Sequence, residues 1–174
     1  MKCSICGEEH ELLEPFFSRP DVIFAMSAEQ KKGRVLETND VCVLSGEDRG
    51  ADRFFVRGRL PVQLLDAPGT SGWGLWAEVS EEDSLVINNA WDDPAQDKIP
   101  PMQARIANRI PGYPDTIDLP VLVRLTGPKS RPELSLTPDS LHPFARECLA
   151  GVCIHRVKDW LDATKKPVAD RSDA

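Results

Sequence analysis

Hydrophobic and polar positions alternate most regularly over residues 53–80. In the first arm Phe54, Val56, Leu60, Val62 and Leu64 share one parity, while Arg57, Arg59 and Gln63 share the other. That is the period-two signature of a strand with one wet face. The second arm sets Trp73, Leu75, Ala77 and Val79 against Gly74, Trp76, Glu78 and Ser80. Between the arms, Asp66-Ala67-Pro68-Gly69-Thr70-Ser71-Gly72 supplies turn residues, so the arms are predicted to pair as an antiparallel hairpin inside the sheet. Successive strand side chains point to opposite faces, so only one of Trp73 and Trp76 can enter the core around Leu75. The parity assigns Trp73 inward and sets Trp76 on the far face, beside Arg57 or Arg59, where it is either an accessible binding surface or covered by a helix.

The same periodicities place the other elements. A strand over 35–44 is interrupted near Asn39-Asp40, with Val41, Cys42, Val43 and Leu44 apolar enough to lie buried beside the Phe54 strand. Residues 45–52 read as a polar hairpin loop. Further strands are predicted where Met102, Ala104, Ile106, Asn108 and Ile110 alternate with polar positions, at Leu119, Val121, Val123 and Leu125, and over 133–136, the last two pairing antiparallel. Ser27 and Gln30 have capping-box spacing for a short helix that Gly33 stops. Longer helices are predicted over 81–91, 143–150 and 154–165; in the last, Ile154, Val157 and Leu161 form the buried stripe and Trp160 sits at its edge. Asp92-Asp93-Pro94 reads as turn chemistry. The expected fold is α+β: a mostly antiparallel sheet of about five or six strands with flanking helices. Residues 1–166 are expected to form one domain, with 167–174 a disordered polar tail.

Composition narrows the function classes. With 41% hydrophobic and 28% charged residues, the chain has the balance of a globular protein, and 15 prolines add turns and edges. A formal net charge of −7 argues against a general nucleic-acid binder, which needs a cationic surplus to release counterions. No apolar run approaches the ~18 residues of a membrane span, and the chain starts with a cysteine-rich polar segment in place of a basic and then apolar leader. The expectation is a cytoplasmic protein without membrane contact, whose five cysteines are reduced thiols or metal ligands before they are disulfides.

Two groups of residues carry candidate chemistry. Cys3, Cys6, Gly7 and His10 have the Cys-x-x-Cys-Gly form of a zinc knuckle, in which a two-residue spacer lets both thiolates face one ion at about 2.3 Å. His10 is a candidate third ligand; Cys42, His142, Cys148, Cys153 and His155 compete for the fourth place. The alternative is that Cys3 and Cys6 are ordinary reduced thiols. The second group is a candidate surface for a protein or small-molecule partner: Trp76 with Arg57 on the hairpin's wet face, and Tyr113 with Asp115 in a loop stiffened by Pro111 and Pro114. That loop either frames a pocket or only turns the chain.

Taken in order, Cys3-x-x-Cys6-Gly7-x-x-His10, Asp40-Val41-Cys42, Phe54-Phe55-Val56-Arg57-Gly58, Trp73-Gly74-Leu75-Trp76, Trp91, the 111–116 loop, Arg131-Pro132 and His142-Pro143 resemble an uncharacterised bacterial family, domain of unknown function 2199. The resemblance implies that Cys3, Cys6, His10 and Cys42 match the family's Cys/His pattern, whereas Cys148, Cys153 and His155 do not. Three functions fit the residues. The first is a binding or regulatory domain with a structural zinc knuckle. The second is a small metal- or thiol-dependent enzyme using Cys3, Cys6 and His10. The third is an acidic antitoxin or immunity-type protein steered to a basic target. For the zinc expectation, replacing Cys3 and Cys6 by Ser should remove one equivalent of metal and loosen the N-terminal region, because structural zinc contributes folding energy directly. Metal analysis with thermal unfolding checks this, and metal-free wild-type protein of unchanged stability would contradict it.

Overall fold

The computed structural model describes residues 7, 9, 13–47 and 51–165. Among the described residues the strands are β1 (Val35–Glu37), β2 (Val41–Leu44), β3 (Arg53–Gln63), β4 (Thr70–Val79), β5 (Met102–Ile106), β6 (Pro120–Arg124) and β7 (Glu133–Leu136). The helices are α1 (Asp21–Phe24), α2 (Ala28–Lys31), α3 (Glu81–Ala90), α4 (Pro143–Ala150) and α5 (Ile154–Lys165). The fold is therefore α+β, and the three longer helices lie where their apolar spacing predicts. Local chemistry explains their limits. Ser27 and Gln30 close the capping box of α2, Ser80 caps α3 at Asp83 N–H, and Pro143 occupies the first turn of α4 behind a His142 cap. Helix α5 is started from outside, by Asp66 Oδ1 accepting from Ile154 N–H at 3.0 Å.

The hairpin forms as its alternation requires, with β3 and β4 paired from Phe54↔Val79 to Gln63↔Thr70. Strands β3 to β7 form a meander, each antiparallel to the one before. In such a meander the first and fifth strands point the same way, so closure requires a parallel pairing. It is made at Arg59↔Glu133, where Arg59 N–H donates to Pro132 C=O at 2.9 Å. Gly58 permits the approach: a Cβ there would stand 2.7 Å from Leu134 Cγ and 3.0 Å from the Pro132 oxygen. The sheet expected from sequence is thus corrected to a seven-stranded one whose last five strands close into a barrel, which removes their exposed edges. Strands β1 and β2 extend it from the first part of β3, so β2 and β7 share one edge of that strand.

The barrel interior takes the parity assigned to it, with Val56, Leu60, Leu75, Ala77, Ile106, Val121, Val123 and Leu134 all buried. Trp73 enters this core and links it to the rest of the chain. Its ring lies 5.2 Å from that of Trp160 on α5, 6.1 Å from Phe144 on α4 and 6.2 Å from Phe17. On α5 the expected stripe is shifted: Trp160 is buried with Ile154 and Val157, and Leu161 is the edge residue, because Trp73 and Tyr113 both reach Trp160.

The outer face of the hairpin is not wet. Trp76 is 0% exposed, which corrects its assignment to an accessible surface. Phe55, on the arginine side of β3, is equally buried. The parity of the two tryptophans holds, but the N-terminal segment covers the second one. Phe17 N–H donates to Gly74 C=O and Gly74 N–H to Pro15 C=O, both at 2.9 Å, and the Trp76 indole N–H donates to Phe17 C=O at 3.1 Å. Gly74 is required here, since a Cβ would stand 2.7 Å from Phe16 Cβ.

Asn108 fastens the next part of that segment. It is buried, and its strand-like alternation with Met102, Ala104 and Ile106 ends in a polar role: β5 stops at Ile106, and Ala107 N–H donates to Trp76 C=O at 2.8 Å. The Asn108 side-chain oxygen accepts from Trp76 N–H at 2.8 Å, and its NH2 donates to Arg19 C=O at 2.9 Å and Asp21 Oδ1 at 3.0 Å. Asp21 Oδ2 accepts from Arg109 N–H at 2.7 Å, and Asp21 N–H donates to Ala107 C=O at 3.0 Å. Every polar atom of this buried amide is bonded, the condition under which such a network adds stability.

Candidate functional site

A groove of about 850 Å³ runs between that N-terminal segment and the chain after β5. Phe16, Phe17, Val22, Phe24 and Ala25 form one wall; Ile106, Ala107, Ile110, Pro111, Tyr113 and Ile117 form the other. Phe16 and Phe24 remain 60% and 58% exposed, an uncommon use of two large aromatic rings unless something covers them. The charged rim consists of Arg19, Asp21, Arg53, Glu78, Arg109 and Asp118. Arg53 and Glu78 are locked by two parallel bonds, Nε to Oε1 at 2.8 Å and Nη2 to Oε2 at 2.6 Å. The far wall is fixed by Thr116, whose buried hydroxyl accepts from Ile110 N–H at 2.9 Å and donates to Asn108 C=O at 2.7 Å.

Of the residues singled out from sequence, Tyr113 lies in this wall, so the 111–116 loop does frame a pocket. Its hydroxyl donates to Glu147 and accepts from Trp160 Nε1 at 2.7 Å and Arg156 Nη2 at 3.1 Å. Burial, reinforced by the bond to Glu147, pushes the phenol above its ordinary value, so it serves as a fixed wall and not as a proton carrier. Burial raises Glu147, but the Arg156 and Tyr113 bonds outweigh it and hold the carboxyl below its usual range. Asp115 is exposed and accepts from Ile117 N–H at 3.1 Å, a local turn role. Arg57 lies outside the groove, with its guanidinium 5.1 Å above the ring of Phe16. Trp76 lies beneath the N-terminal segment and reaches no surface.

The knuckle residues Cys3, Cys6 and His10 lie outside the described residues. Among the described residues no group of three or more His, Cys, Asp and Glu stands close enough to hold a metal. Cys42 is fully buried on β2, and burial pushes its thiol up to about 11; Cys148 is pushed up to about 12, again mainly by burial. Burial thus disfavours the thiolate of both, the opposite of the depressed pKa a reactive cysteine needs.

Sequence reasoning missed Phe16, Phe24, Asp21 and Asn108. Only Asn108 carried a signal, as a polar residue on an otherwise apolar parity. The aromatic and acidic positions gain meaning only when the segment before β1 folds back over β4, and no local period announces that.

Fold and groove together define an α+β protein with a five-stranded barrel, one outer face of which is roofed by its own N-terminal segment. A family model described as an uncharacterized protein conserved in bacteria (DUF2199) matches residues 2–152; the chain belongs to that family. No curated protein and no solved structure matches it. Among the described residues no helix is long and apolar enough to cross a membrane.

The depressed Glu147 has a pH consequence. A carboxylate whose folded pKa lies below its unfolded value adds stability above the unfolded pKa and loses it as pH falls through the folded one. Glu147→Gln should therefore destabilise the protein at pH 7, and the gap from wild type should close as the pH drops below 4.5, the ordinary glutamate value. Denaturant unfolding at neutral and acid pH checks this, and a gap that is unchanged in acid would contradict it.

Proposed function

We propose that this protein is a binding domain that receives a small, largely apolar ligand in the groove between residues 16–25 and 106–118. The observation that carries the reading is the groove itself: its volume falls in the roughly 300–1,000 Å³ range of small-molecule sites, its walls are apolar, and Phe16 and Phe24 stay open along it. Its fixed polar groups support binding over chemistry, since the Tyr113 hydroxyl and the Arg53–Glu78 pair are already saturated by their own partners. On this reading the zinc proposed for Cys3, Cys6, His10 and Cys42 would anchor the chain ahead of the groove wall. The free thiols of Cys148 and Cys153 suit a reducing compartment and support a cytoplasmic location.

The groove is tested with a neutral fluorescent probe, N-phenyl-1-naphthylamine. Saturable binding is expected for wild type. Ala25→Trp, on the exposed lip, and Ile117→Trp, on the opposite wall, should each weaken it by about tenfold, the effect of losing one well-packed contact, with unchanged thermal unfolding. Binding that is absent, or equal in all three proteins, would contradict the proposal.

A further inference from the structure

Strand β3 presents three arginines on the face that carries the N-terminal segment, and they are treated differently. Arg53 forks onto Glu78, and Arg59 is held by Glu14, its Nε 3.0 Å from Oε2. Arg57 makes no side-chain hydrogen bond or ion pair among the described residues; it rests on Phe16, and its Nε is buried without a partner. A half-buried guanidinium left in that state is costly, because it has lost water and gained no acceptor.

Its neighbours sharpen the imbalance. Burial is the larger effect in lowering the Arg57 pKa; the charges of Arg131 and Arg19 add to it, and Asp40 offsets them in part. Each already has one carboxylate: Arg131 Nε donates to Asp40 at 2.6 Å and Arg19 Nε to Glu37 at 2.7 Å. Both Nη groups of Arg131 and one of Arg19 make no further bond among the described residues. Among the described residues three cations thus face two carboxylates, and one positive charge is left over. Phe16 and Arg19 also line the groove, so this surplus charge stands beside its mouth.

From this arrangement we infer that Arg57, with Arg19 and Arg131, forms an oxyanion subsite for the head group of the groove's ligand, and that the ligand is an amphiphilic carboxylate. The inference rests on the groove reading and adds the ligand's chemistry. A single carboxylate matches the one uncompensated charge, accepts the planar fork of a guanidinium, and supplies the acceptor that Arg57 Nε lacks. An apolar body attached to it would pass over Phe16 into the groove.

The test compares 4-phenylbutyrate with its neutral amide, 4-phenylbutanamide, by calorimetric titration against wild type, Arg57→Gln and Ala25→Trp. Wild type should prefer the acid by about tenfold, the scale of one charge-assisted hydrogen bond, and added salt should erode that preference. Arg57→Gln should remove the preference, keep the amide affinity and change thermal unfolding little, since among the described residues the guanidinium loses only its contact with the Phe16 ring. Ala25→Trp should weaken both compounds. Equal binding of acid and amide by wild type, with Ala25→Trp still weakening both, would overturn the subsite and leave the groove standing. Binding of neither compound would remove both readings. Inorganic phosphate displacing the acid at a lower concentration than acetate does would overturn the carboxylate assignment.

Discussion

One buried amide decides whether the outer face of this barrel is surface or core. Asn108 takes the Trp76 N–H on its oxygen and gives both N–H groups to the 19–21 stretch, tying β4, the end of β5 and the N-terminal segment at one point. Its full set of bonds matters more than their number. In a buried site each hydrogen bond contributes roughly 0.5–1.5 kcal/mol, but each orphaned partner costs about 1–3 kcal/mol. Losing the amide would leave the Trp76 N–H and the Arg19 carbonyl without their partner. The segment would then lose its reason to lie across Trp76, and the groove would lose one wall.

The barrel supplies the rigid half of that arrangement. A five-strand meander closes only through a parallel contact, and the close approach of β7 to Gly58 provides it. Closure fixes the outer face of β3 and β4, hence the relative positions of Arg53, Arg57, Arg59, Gly74 and Trp76. On one end the Trp73 cluster with Phe144 and Trp160 holds α4 and α5, and α5 in turn places Arg156 and Trp160 against Tyr113. Both walls of the groove are therefore set from the barrel, one through Asn108 and the other through Tyr113 and Thr116.

The sequence made the local elements legible because their causes are local. Alternation marked β3 and β4 down to the inward Trp73, Ser27 with Gln30 announced a capping box, and His142-Pro143 announced the start of α4. The failures share one origin, which is contact between distant parts of the chain. Trp76 reads as an outward residue until residues 15–19 cover it, and Leu161 reads as core until Trp73 and Tyr113 claim Trp160. Closure depends on Gly58 leaving room for Leu134, a residue far along the chain, and no short hydrophobic period encodes that. The site was partly legible: Tyr113 could be named from its proline-stiffened loop, whereas Phe16, Phe24 and Asp21 belong to a segment with no periodic signal, and Arg57, named with Trp76, lies outside the groove.

Native-state hydrogen exchange on Asn108→Ala is the most direct test of the claim that this amide holds the groove wall. The account predicts that the amides of Phe17, Asp21, Phe24 and Ala25 lose protection by at least about tenfold, consistent with local opening of a segment whose fastening has gone. The amides of β6 and of the β3–β4 hairpin beyond Trp76 should keep theirs. Unchanged protection over 17–25, or an equal loss across the whole barrel, would contradict it.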